Sequence, residues 1–202
     1  MIEIKNESNE ILLSGVVGDG WGEDPITHLA VEKALKAFNG SPVTVRINSP
    51  GGAADEGIGI YNAMKSYSGE ITTINDSLAA SAASVIFLGG SKRLMSQGSR
   101  VMIHRALAFA LGNQEELRKT IAALEAYDKS LVAIYAEYMD KTELEIESMM
   151  SNETWINADE AINLGIATGN VESNYKKKKP ASRFDEAKAA MLRAQLNARL
   201  TH

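Results

Sequence analysis

EITTINDSLAASAASVIFL, residues 70–88, places an alternating strand, Glu70 to Asn75, directly before a run of small and apolar residues from Ser77 to Leu88 that reads as a helix. Side chains this small let a helix backbone approach its neighbours closely. Upstream, Pro42 to Ile47 (PVTVRI) alternates as a strand does, and Asn48-Ser-Pro-Gly-Gly52 breaks it sharply. Gly57 to Tyr67 then reads as a helix in spite of its two glycines. Further upstream, Glu10 to Val17 (EILLSGVV) reads as a strand ending in Gly18-Asp-Gly-Trp-Gly22. Thr27 to Phe38 carries Leu29, Ala30, Leu35 and Phe38 at helical spacing, with Asn39-Gly40 as a stop. Downstream, Lys92 to Met95 and Arg100 to His104 (RVMIH) each fit a short strand. This repeated pairing of strand with helix predicts α/β crossover units around a mostly parallel sheet.

The 202 residues suffice for one sizeable core with a short appendage. There are 21 Lys and Arg against 26 Asp and Glu, giving a net charge of -5, and no cysteine. Disulfides, thiolate nucleophiles and cysteine-ligated metals are thereby excluded. An acidic chain lacks the basic face that a nucleic-acid binder needs, so no nucleic-acid partner is expected. With three histidines, His28, His104 and His202, no metal site is expected either. No apolar run reaches membrane-spanning length, and MIEIKNESNE has neither the basic nor the apolar region of a secretion signal. A cytoplasmic protein without a membrane partner is the expectation.

From Asn113 to Ser151 glycine becomes scarce, and Leu117, Ile121, Leu124, Leu131, Ile134 and Tyr135 form a stripe on one long predicted helical stretch. The stripe packs on its own domain or projects to meet another subunit. Ala158 to Gly165 reads as a short helix. Residues 172–202 are read as a charged extension, helical or flexible, beyond a domain at 1–171; its four lysines, 176–179, read as a solvated linker.

Acyl transfer by serine needs a hydroxyl beside a base and backbone N–H groups aimed at the developing oxyanion. Gly51-Gly52 frees the backbone after a strand to leave an amide uncommitted, or makes an ordinary type II turn at Pro50-Gly51. Ser81, flanked by alanines near a helix start, is the candidate nucleophile, with Ser77 and Ser84 as rivals and packing as the plain alternative. His104 ends an apolar strand and is either the base or a structural histidine. None of these three decides anything alone.

Together they resemble the Clp protease proteolytic subunit family, the ClpP-type serine peptidases, and above all its phage-encoded members associated with head maturation. The likeness covers roughly residues 9–170. Ile47-Asn-Ser-Pro-Gly-Gly52 matches the family's glycine turn, Ala79-Ala-Ser81 its nucleophile motif and Ser99-Arg-Val-Met-Ile-His104 its histidine motif. The resemblance implies an α/β, ClpP/crotonase-like fold of repeated β-β-α units, with 113–151 as a projecting handle. It implies Ser81 as nucleophile, His104 as general base, and the backbone N–H groups of Gly52 and Ala82 as oxyanion hole. Ser84 reads as packing. A polypeptide substrate, no cofactor, and a homo-oligomer of seven-membered rings, single or stacked in pairs, are also implied.

Two departures shape the expectations. Glu153 of Asn152-Glu-Thr-Trp155 falls where the family has its triad aspartate; it is the expected orienting acid, with a Ser–His dyad as the alternative. About nine residues precede the first strand, fewer than the axial loops that engage an unfoldase, so docking to a Clp ATPase is not expected. The expected function is an ATP-independent serine endopeptidase acting in phage or prophage capsid maturation, with capsid or scaffold proteins as partners. The alternatives are a weak or inactive assembly protein and, further off, a crotonase-type acyl-CoA enzyme. A serine–lysine signal peptide peptidase is disfavoured by the SRVMIH segment and because Lys92 is the one lysine near Ser81 in sequence.

Overall fold

In the computed structural model, residues 1–19, 24–172 and 191 are described. Eight strands form one mixed sheet, confirming the α/β class. β1 (Ile2–Lys5) lies antiparallel on β2 (Glu10–Val17), and β2 continues parallel through β3 (Val43–Gly52) to β4 (Ile71–Ala80). The first crossover is α1 (His28–Ala37) and the second α2 (Ala54–Lys65). Thr27 caps α1 by accepting from the Ala30 N–H, which is why the helix starts where its apolar spacing does. Ile11, Leu13, Val45, Ile47, Ile60 and Phe87 anchor the core.

β4 forks. Its first half, Thr72–Asn75, pairs with β5 (Lys92–Met95), and its second half, Leu78–Ala80, pairs with β6 (Arg100–Ile103). Asn75 sits at the fork, where its buried side-chain N–H donates to the Arg100 carbonyl at 2.8 Å and so satisfies a strand end that backbone pairing does not. β6 in turn pairs antiparallel with β7 (Thr154–Asn157), and β5 with β8 (Gly169–Asn170).

The fork corrects one expectation. Residues 77–80 extend the strand, because Leu78, Ala79 and Ala80 pair with 100–102, and the helix α3 is Ala82–Leu88. The stretch 113–151 is also two helices, α4 (Gln114–Ala136) and α5 (Glu143–Ser151). The break comes at 137–142, where Met139 is buried in a turn and Thr142 opens α5 through a reciprocal cap with Glu145. α6 (Ala158–Asn163) follows β7, as expected for 158–165. β1 and β7 were not foreseen. The extension 172–202 lies almost wholly outside the described residues, and no described helix is long and apolar enough to cross a membrane.

Replacing Asn75 with Leu leaves the Arg100 carbonyl without its donor; urea denaturation is expected to show a loss of about 1–3 kcal/mol.

Candidate active site

The loop that joins β4 to α3 is a single residue, Ser81. Its backbone is held at φ 53° and ψ -126°, left-handed territory that a serine occupies only when its surroundings impose it. Its N–H donates to the Met102 carbonyl at 2.9 Å, which ties the turn to β6. A sharp strand-to-helix turn of this kind lifts the hydroxyl clear of the sheet. β6 ends at Ile103, and the next residue, His104, brings its Nε2 to 2.7 Å from Ser81 Oγ. These two predicted residues therefore meet.

The oxyanion candidates frame the same point. Ala82 is the first residue of α3, so its N–H has no intrahelical partner and faces developing negative charge favourably. Gly51 and Gly52 end β3 with φ of 92° and 150°. A Cβ at Gly51 would lie 2.7 Å from Ser81 Cβ and 2.9 Å from Ala82 N, so glycine is required for the two turns to touch. Gly52, Ser81, Ala82 and His104 line a cleft of about 530 Å³ whose walls include Leu124 and Tyr127. Across its rim the Tyr127 hydroxyl donates to Asp55 at 2.7 Å, and that carboxylate pushes the phenol's pKa up.

Glu153 is placed differently from its two companions. The β6–β7 pairing ends at Ile103 and Thr154, and His104 and Glu153 are the residues that flank this last pair. The Arg105 and Glu153 N–H groups both donate to the Met150 carbonyl at 3.2 Å, which holds the two segments together. Yet the Glu153 carboxylate accepts from the Trp155 indole at 3.2 Å, and among the described residues no hydrogen bond joins it to His104. The expected acid is a neighbour of the base by backbone and a partner of Trp155 by side chain. Its φ of 46° turns the residue away from regular strand geometry at that point.

The sequence matches the family described as Clp protease over residues 4–174. The chain belongs to the Clp protease family. It is 30% identical over 164 residues to the ATP-dependent Clp protease proteolytic subunit 1 of Protochlamydia amoebophila, covering 79% of each chain. It is 33% identical over 129 residues to the corresponding subunit of Bacteroides fragilis, covering 63% of this chain and 62% of that one. A chloroplastic proteolytic subunit 3 of Arabidopsis thaliana is 36% identical over 126 residues, 61% of this chain and 41% of that one. Family membership agrees with the ClpP-type serine peptidase class and with the α/β architecture.

The contacts that Ser84, Tyr135 and Asp128 make around this site escaped sequence reasoning. Ser84 is buried, its Oγ donating to the Ser81 carbonyl and lying 2.6 Å from the Tyr135 hydroxyl, so it is more than packing and is too enclosed to rival Ser81. Ser77 faces solvent from within β4. Asp128 accepts from the Ala106 N–H at 2.8 Å and from Arg105 at 3.0 Å, fixing the chain just after His104. No sequence signal pairs 84 with 135 or 106 with 128, since one contact crosses from α3 to α4 and the other from the loop after β6 to α4. Among the described residues no three His, Asp or Glu side chains converge as metal ligands would.

Gly51→Ala is expected to push the nucleophile turn aside and to slow fluorophosphonate labelling on the order of 100-fold, the scale of an oxyanion-hole defect, as read by intact mass against time.

Proposed function

We propose that this chain is a serine endopeptidase that cleaves polypeptides through an acyl-enzyme on Ser81. The observation that carries the reading is the 2.7 Å contact between Ser81 Oγ and His104 Nε2 at a strained turn opening onto a cleft. Ser81 Oγ attacks the scissile carbonyl carbon while its proton passes to His104 Nε2. The resulting oxyanion sits against the N–H groups of Gly52 and Ala82. The carbon–nitrogen bond then breaks as His104 returns the proton to the leaving amine, giving an ester on Ser81. Water, deprotonated by His104, attacks that ester; the peptide carboxylate leaves and Ser81 regains its proton.

With Nε2 accepting from Ser81, the neutral imidazole carries its proton on Nδ1, the atom an orienting acid must face. Glu153 is the acid this reading assigns. His104 and Glu153 flank the last β6–β7 pair, and the Arg105 and Glu153 N–H groups share the Met150 carbonyl, which supports a glutamate near the imidazole once its carboxylate leaves Trp155. The contact with Trp155 also favours a second reading, a weakly active or assembly-only protein in which His104 lacks its acid.

The remaining assignments rest on kinship and on surface chemistry. Family membership supports homo-oligomeric rings, taken here as heptameric and single or stacked. Leu117 and Ile121 of α4 are 40% and 55% exposed on an otherwise helical apolar stripe, which supports burial against a further subunit. The resemblance to head-maturation members supports phage or prophage capsid and scaffold proteins as substrates, in the cytoplasm of a bacterial host.

Intact-mass analysis after fluorophosphonate treatment tests the reading. One adduct is expected on the wild type and none on Ser81→Ala with its assembly intact; an unlabelled wild-type ring would sink the peptidase assignment in favour of the assembly protein. Glu153→Gln is expected to lower kcat on peptide on the order of 100-fold, the scale of an acid–base defect, with KM little changed. An undiminished kcat there would leave a Ser–His dyad. No CoA thioester binding is expected by calorimetry, since nothing in this site calls for one.

A further inference from the structure

The nucleophile is gripped from behind by hydroxyls that the peptidase chemistry does not use. The Ser81 carbonyl accepts from the Ser84 N–H at 2.9 Å and from Ser84 Oγ at 2.6 Å. Ser84 Oγ lies 2.6 Å from the Tyr135 hydroxyl on α4, and both side chains are at most 2% exposed. The proton inventory fixes the direction of this chain. A carbonyl can only accept, so the single Ser84 proton goes to Ser81, and Ser84 Oγ must then accept from Tyr135. Burial raises the Tyr135 pKa to about 12, against a smaller opposing effect of the Ser84 bond, so the phenol remains a donor across the working range of pH.

We propose that Ser84 and Tyr135 are positioning residues that hold the strained backbone of Ser81 by its carbonyl and make its reactivity depend on helix α4. This rests on the serine-peptidase reading above. Packing alone does not explain the pair, because alanine and phenylalanine would fill nearly the same space without two buried hydroxyls that cost free energy unless paired. The Ser81 conformation does explain them. A residue at φ 53° relaxes unless its flanking groups are held, and here β6 holds its N–H while Ser84 and Tyr135 hold its carbonyl. Successive hydrogen bonds in one direction also strengthen one another.

The same helix grips the base. Asp128 lies seven residues, about two turns, before Tyr135, hence on the same side of α4, and its carboxylate binds the Ala106 N–H and the Arg105 guanidinium. One helix therefore fixes the main chain behind the serine and the main chain after the histidine. The 2.7 Å contact between the two side chains is set by α4 as well as by the sheet.

The test uses the full-length protein and compares wild type with Tyr135→Phe and the double variant Ser84→Ala/Tyr135→Phe. Removing both members of a buried hydrogen bond is close to neutral for stability. The double variant is therefore expected to melt near the wild-type temperature in the same oligomeric state. Its fluorophosphonate labelling at Ser81 is expected to slow by about 10-fold to 100-fold, the scale of a modest misplacement of a reacting group. The midpoint of its labelling rate against pH is expected to stay where the wild type has it, because His104 is untouched, while the plateau falls. Tyr135→Phe alone keeps the Ser84 bond and is expected to show a smaller loss. Labelling of the double variant at the wild-type rate overturns this proposal and leaves the peptidase reading standing. A plateau that falls only in proportion to unfolded protein, read from the melting curve, overturns it too. A wild type that takes no label at Ser81 overturns both.

Discussion

Ser81 occupies a backbone conformation that serine does not hold unaided, and much of the site follows from that one constraint. The turn exists because β4 does not stop at Asn75 but runs on to Ala80, and because β6 rather than β5 pairs with that extension. Met102 supplies the carbonyl that receives the Ser81 N–H, and two residues later the same strand delivers His104. Position and partner of Ser81 thus come from one strand pairing. Gly51 permits the neighbouring turn to touch this one, where any Cβ would press against Ser81 and Ala82.

Much of this was legible in the sequence, and the reasons are local. Strand β3 alternates cleanly and ends in a glycine pair; β6 reads RVMI before its histidine; α1 has both its apolar spacing and its Asn39-Gly40 stop. Ser81 and His104 were legible through motif order, since three short patterns in sequence constrain far more than one. The strand extension at 77–80 was hidden because Ser, Leu and Ala carry no strand signature. There, pairing with β6 overrides propensity.

The other misreadings share a cause. Helix-forming composition continues unbroken through 137–142, so only the Thr142 cap and the buried turn at Met139 reveal the break between α4 and α5. Ser84 looked like a small packing residue because its partner, Tyr135, stands 51 positions away. Glu153 was expected to orient His104, but its carboxylate accepts from an indole two residues along, a contact that motif order does not reveal. Contacts between side chains on separate elements are tertiary facts, and pattern reading has no access to them.

The fork in β4 also bears on when the molecule becomes chemically competent. A chain emerging from the ribosome presents its serine well before its histidine, and β6 can settle on β4 only once residues 100–102 have emerged. Asp128 and Tyr135 emerge later, and β7, which covers the outer edge of β6, later still at 154–157. Pairings this distant in sequence form late in folding, after their loop-closure entropy has been met. A polypeptide that ends before these residues therefore carries the motif around Ser81 without the strand pairing that brings His104 to it.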